Sequence, residues 1–130
     1  MMAYLAVGVG SALGGVGRFW IAGMIGQRFG EVFPWGTIFV NGSGSFVIGA
    51  LAALMAADGA GSAKLSPLGA QFFMVGVCGG YTTFSAFSLQ TLKLLQTGAY
   101  GQAGANVALS LLACLVAVWL GFLAGQWVNR

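Results

Sequence analysis

Four long apolar runs divide the chain, from about Ala3 to Ile25, Trp35 to Ala56, Leu68 to Leu95 and Ala103 to Val128. Each is long enough to cross a hydrocarbon core of ~30 Å, which takes about 20 helical residues. The breaks between them read "QRFGEVFP", "ADGAGSAKLSP" and "QTGAYG". Every break holds Gly and the first two hold Pro, residues that turn a chain through positive φ or through a fixed φ. Within lipid only helices and closed barrels satisfy the backbone, and these runs are too long and too continuously apolar for barrel strands. The pattern predicts an all-α integral membrane fold, a single four-helix transmembrane domain over residues 1–130.

Polar residues inside the runs refine that picture. The third run contains "GVCGGYTTFSAFSLQ", Gly76 to Gln90. Gly79-Gly80 suits a helix interior poorly, and Thr82-Thr83 can turn their hydroxyls onto backbone, so this helix is expected to break near mid-membrane and restart near Thr83. A broken membrane helix frees carbonyls and amides, which are tolerated at depth only inside protein or along a cavity. Free carbonyls suit a cation and helix N-termini an anion. Phe84 and Phe87, spaced i and i+3, share one face of the restarted half-helix, where ordinary packing is the alternative to a site. Asn41 follows the apolar "WGTIFV", so its amide lies within the second run and needs a partner, either a neighbouring helix or a transported species. Asn106, Ser110 and Cys114 fall at i, i+4 and i+8 on one stripe, which fits a pore lining or a helix contact.

Composition agrees with a membrane protein. The 130 residues are 58% hydrophobic and only 5% charged, against roughly one-quarter charged in soluble domains. Among 23 glycines, Gly10/Gly14, Gly76/Gly80 and Gly121/Gly125 have G-x-x-x-G spacing, and Ser45/Gly49 is a small-residue version. Such spacing lets membrane helices approach closely and predicts a tight bundle. The five basic residues are too few and too scattered for a nucleic-acid or polybasic lipid site. No Lys or Arg precedes the first run, which is expected to remain in place as a span. With four spans, Lys64 and Arg130 fall on one side and Arg28 and Lys93 on the other, with Arg18 near the end of the first run. That balance gives the positive-inside rule almost nothing to read, and it leaves open whether the chain inserts one way or both. Insertion both ways would allow pairing with an inverted copy.

The missing chemistry excludes several classes. There is no His, and the only carboxylates, Glu31 and Asp58, fall in predicted loops. General acid-base catalysis, a side-chain metal cluster and an intramembrane proton relay lack their parts, so no enzymatic activity is expected. An exporter of small cations would need an acidic residue within a span. "GVGSALG" is spaced G-x-G-x-x-x-G and follows no strand, which argues against dinucleotide binding. Cys78 and Cys114 have no Cys or His neighbours and read as packing residues rather than a disulfide or metal site.

"GVCGGYTTFSAF" at Gly76 to Phe87, "WGTIFVNGSGSF", and the Gly-rich opening that ends in Arg18 together resemble the small bacterial fluoride channels, the Fluc or CrcB family. The likeness extends over nearly the whole chain in length, span count and order. It implies passive fluoride-selective conduction that exports the ion across a bacterial inner membrane and relieves its toxicity. It also implies an antiparallel, dual-topology homodimer with a structural Na⁺ at its centre and no nucleic-acid or protein partner beyond the second copy. On this resemblance the backbone carbonyls of Gly79 and Thr82 from both subunits hold the Na⁺. Phe84 and Phe87 form an aromatic box, Asn41 donates to fluoride, and Thr83, Ser85, Asn106 and Ser110 belong to the fluoride pathway. Arg18 matches a structural or vestibular basic residue.

Three positions depart from the family pattern: Asn106 stands where Tyr is frequent, Ala86 where Thr is common, and Cys114 where a hydroxyl is more usual. Neutral donors suit a small, strongly hydrated anion, because a fixed cation would trap it. Phenyl rings can present their positive C–H edges to it. Two rival classes use the same residues: a pore for water or neutral solutes, and a packing subunit without flux.

Overall fold

The computed structural model describes residues 1–56 and 65–128, so Asp58, Lys64 and Arg130 lie outside the described residues. Helix α1 spans Met2–Phe29 and α2 spans Trp35–Ala56. The third span begins with α3, Pro67–Ala70, continues as a π-helical stretch Gln71–Cys78, and ends in the short α4, Gly79–Tyr81. Helix α5, Phe84–Gln96, follows, and α6, Tyr100–Val128, completes the chain. No strand occurs among the described residues, and four helical spans are long and apolar enough to cross a membrane.

Local chemistry sets the helix ends. α1 runs on past Ile25 through Gly26, a single glycine that a long helix tolerates, and it stops at Gly30, whose φ of 87° reverses the chain. The Gly30 N–H closes on the Gly26 carbonyl at 2.8 Å. Ser66 caps α3, accepting from the Gly69 N–H at 3.1 Å, with Pro67 in the first turn where its missing N–H costs nothing. After α5 the Ala99 N–H reaches the Leu94 carbonyl at 2.9 Å and the Gly98 N–H reaches that of Leu95 at 3.1 Å. Gly98 has φ of 75°, so this is a Schellman end that turns the chain directly into α6.

Two glycine seams hold the bundle. α1 packs on the π-helical stretch and α4, while α2 packs chiefly on α6. On the first seam a Cβ on Gly10 would lie 2.6 Å from the Phe72 carbonyl oxygen, and one on Gly80 would lie 2.5 Å from that of Ser11. On the second seam a Cβ on Gly125 would meet the Ala50 carbonyl at 2.5 Å, while those on Gly49 and Gly121 would run into the carbonyls of Val118 and Phe46. The spaced glycines therefore pair Gly10/Gly14 with Gly76/Gly80, and Gly49 with Gly121/Gly125, bringing backbone against backbone.

The interior is unusually polar for so apolar a chain. Six apolar side chains are buried among the described residues, and beside them five polar ones: Thr37, Asn41, Thr83, Asn106 and Ser110. The large apolar residues face outward instead, as a lipid solvent permits. This inverted distribution concentrates the hydrogen-bonding groups where α2, α5 and α6 meet the break between α4 and α5.

Candidate functional site

Thr82 and Thr83 separate α4 from α5 with extended backbone, at φ −81°, ψ 157° and φ −152°, ψ 113°. Asn41, reaching from α2, holds this interruption open. Its Oδ1 accepts from the Thr83 N–H at 2.7 Å, and its Nδ2 donates to the Thr83 carbonyl at 3.0 Å. A peptide N–H can only donate and a carbonyl can only accept, so Thr83 dictates which way the Asn41 amide faces. One Nδ2 hydrogen remains outside this clamp, and Asn41 lines the adjoining cavity.

The clamp has a second effect. In a continuous α-helix the Thr83 N–H would bond the Gly79 carbonyl and the Ala86 N–H would bond that of Thr82. Here Asn41 takes the first, and the Thr83 hydroxyl, capping α5, accepts the second at 3.2 Å. The donors due to the Gly79 and Thr82 carbonyls are thus committed elsewhere. Gly79 is exposed, and a Cβ there would meet only the Met74 carbonyl, at 3.9 Å. Carbonyl oxygens are hard donors of the kind that bind cations where membrane helices unwind. The Thr82 hydroxyl turns back onto the Cys78 carbonyl at 2.9 Å and leaves its own carbonyl clear.

Beside the break lies a cavity of about 300 Å³ lined by Asn41, Thr83, Phe84, Phe87, Ser110 and Cys114, with Cys78 at its wall. Phe84 and Phe87 sit one turn apart with ring centroids 5.3 Å apart and planes at 46°. Phe84 is 75% exposed and projects from the single chain, whereas Phe87 is half-buried. α5 begins at Phe84, which aims the positive end of its dipole at this space. Both cysteines are free thiols.

Not every expected pathway residue reaches that cavity. Asn106 is completely buried and hydrogen-bonded to side chains on both sides, and Ser85 is exposed, with its hydroxyl 3.2 Å from that of Thr83. Arg18 lines a neighbouring cavity of about 350 Å³ with Thr37, Thr83, Ala86 and Gln90. A third, of about 450 Å³, contains Glu31, Thr37, Gln90 and Lys93. Thr37 and Gln90 border both of the latter, and Thr83 borders both Arg18's cavity and that of the phenylalanines. Gln90 Oε1 is buried with no hydrogen-bond partner among the described residues.

Sequence reasoning had passed over Thr37, Gln90 and Tyr81. Thr37 lies one turn before Asn41 and Gln90 three residues after Phe87, spacings that put each on the same face as an expected site residue. The Tyr81 hydroxyl lies 3.0 Å from that of Ser43, which itself donates to the Phe39 carbonyl at 2.8 Å, tying α2 to the end of α4.

Four apolar spans around a polar, glycine-packed interior, with an interrupted third span beside a small cavity, define a multi-pass membrane protein. The profile of the family described as CrcB-like protein, Camphor Resistance (CrcB), matches residues 5–122. The chain belongs to that family. It is 53% identical over 129 residues to a protein of Opitutus terrae named fluoride-specific ion channel FluC, covering 99% of this chain and 96% of that one. A protein of the same name from Rhodospirillum rubrum is 52% identical over 129 residues, covering 99% and 98%. Another, from Paramagnetospirillum magneticum, is 46% identical over 130 residues, with both chains covered completely.

Proposed function

We propose that the chain is the subunit of a passive, fluoride-selective channel that releases fluoride from the cytoplasm across the bacterial inner membrane. The names of its full-length relatives support this reading, and it makes the protein a transporter rather than an enzyme. The observation that carries it is the Asn41–Thr83 clamp, which opens the third span in front of a cavity edged by Phe87 and Ser110.

Fluoride is small and strongly hydrated, so its path must offer donors that replace water without binding so tightly that the ion stays. The second Asn41 N–H and the hydroxyls near it are neutral donors of this kind. Phe84 and Phe87 contribute C–H edges, each worth ~1 kcal/mol at most, which favours passage over capture. The path runs from the Glu31 and Lys93 mouth past Thr37 and Gln90 to Thr83, and then to the phenylalanines and Ser110. Arg18, which lines the cavity shared by Thr37, Thr83 and Gln90, has a structural or vestibular role.

The working unit is an antiparallel dual-topology homodimer, with the break lying near mid-membrane. Support comes from the Gly79 and Thr82 carbonyls, whose helical donors are committed elsewhere, from the exposure of Gly79, and from the even split of cations that leaves insertion undirected. The four carbonyls of two such copies would hold a structural Na⁺, and that ion would supply a fixed positive charge that pins the two breaks together.

The test is release of fluoride from liposomes carrying the purified protein, read with a fluoride electrode, with chloride-loaded and empty vesicles as controls. Rapid fluoride release without chloride release supports the reading. Release of neutral solutes alone, or none from well-folded protein, rejects it in favour of a solute pore or a packing subunit.

A further inference from the structure

The hydrogen bonds behind Ser110 run in one direction only. The Thr91 hydroxyl donates to the Phe87 carbonyl at 2.8 Å, and a carbonyl has no hydrogen to give back. The Thr91 oxygen is therefore left as an acceptor, which obliges Asn106 to present Nδ2 to it, at 2.8 Å. That turns Asn106 Oδ1 toward Ser110, whose hydroxyl donates to it at 3.3 Å. Asn106 is 0% exposed and Ser110 6%, so both ends of the Ser110–Asn106 contact are buried. The Ser110 proton is consequently directed away from the cavity that Ser110 lines, and its lone pairs face the cavity instead.

We propose that Thr91, which does not line that cavity, is a positioning residue that keeps the Ser110 hydroxyl withheld from the passing anion. An anion obtains this donor only when Ser110 rotates, and rotation leaves Asn106 Oδ1 buried and unpaired. The donor is lent and recovered, which favours fast release over tight binding. The long 3.3 Å Ser110–Asn106 contact, against 2.8 Å on the Thr91 side, puts the weak link where the exchange must occur. This inference rests on the fluoride-channel reading.

The experiment compares fluoride flux against fluoride concentration for the wild-type protein and for Thr91→Val, Thr91→Ser, Ser110→Ala and the double variant Thr91→Val with Ser110→Ala, each as the monodisperse assembly in liposomes. Without the Thr91 oxygen nothing fixes which way the Asn106 amide faces, so the orientation that presents its N–H to Ser110 becomes populated and frees the hydroxyl as a donor to the cavity. The half-saturating fluoride concentration and the maximal flux should then both fall by a factor of about three to ten, the equivalent of one neutral hydrogen bond. Thr91→Ser should restore wild-type values, and Thr91→Val should change nothing once Ser110 is Ala.

Wild-type saturation in Thr91→Val, or a shift that survives Ser110→Ala, overturns the proposal. If Thr91→Val does not assemble, Thr91→Ala carries the same expectation. If wild-type vesicles release no fluoride, the channel reading fails, and the bond polarity is judged separately by ¹⁵N-asparagine NMR. There one Asn106 side-chain proton should lose its downfield shift in Thr91→Val, and an unmoved spectrum overturns the polarity.

Discussion

Asn41 grips both ends of the backbone at Thr83, taking its N–H at 2.7 Å and its carbonyl at 3.0 Å from a residue 42 positions away. The side-chain amide replaces a strand of secondary structure at the one place where the third span leaves the helix. Bonding between neighbouring helices and exposure of a donor to the cavity are thus compatible tasks for a single side chain.

The clamp predicts a steep cost for its removal. Asn41→Ala leaves two buried backbone groups unpaired at about 1–3 kcal/mol each, so thermal unfolding in detergent should move to clearly lower temperature and fluoride flux should be lost. Asn41→Asp keeps the acceptor for the Thr83 N–H but places negative charge at the cavity. An ionised carboxylate has no hydrogen for the Thr83 carbonyl, so that variant should also unfold at lower temperature than wild type while flux is abolished, and retained flux would count against an anion path at Asn41.

The glycine seams can be tested on one helix. A Cβ on Gly121 would run into the Phe46 carbonyl, whereas one on Gly104 meets nothing within 4 Å. Gly121→Ala should lower stability by about 1–3 kcal/mol, since the obstructing atom is backbone and cannot swing aside. Gly104→Ala on the same α6 should be neutral or slightly stabilising. Equal unfolding midpoints for the two variants would contradict the seam.

What could be read from sequence follows from the range over which each cause acts. The four helices and the all-α class were visible because an apolar run and its turn residues act locally. G-x-x-x-G spacing marked the close-packing glycines but not their partners, since which seam forms depends on the docking of α2 on α6 and α1 on the third span. Asn41 could be recognised as a buried amide in need of a partner, yet the identity of Thr83 depends on a contact between distant segments. Asn106 looked like part of an open stripe with Ser110 and Cys114, but helical spacing cannot say that α5 covers it with Thr91. Thr37 and Gln90 carried the right spacing and were missed because neither is unusual in composition.

Gln90 offers a test in which stability and transport separate. Its Oε1 is buried without a partner among the described residues, so Gln90→Met should hold or raise the unfolding temperature, with a gain on the order of 1 kcal/mol. The same change removes a polar wall shared by the mouth cavity and that of Arg18, and flux should fall several-fold. A stable variant with undiminished flux would place the ion path elsewhere.

Phe87 provides the last discrimination, between an aromatic that contacts the ion and one that merely fills space. Phe87 is half-buried one turn from Phe84, and both rings border the cavity that Asn41 and Ser110 also line. Phe87→Ile retains apolar bulk but has no aromatic C–H edge to offer an anion. Assembly judged by size-exclusion elution should be unchanged while fluoride flux is strongly suppressed. Phe87→Tyr, which keeps the ring, should retain more flux than Phe87→Ile. If Phe87→Ile conducts as well as wild type in a correctly assembled protein, the rings are packing residues, and the donors around Thr83 must carry the ion without them.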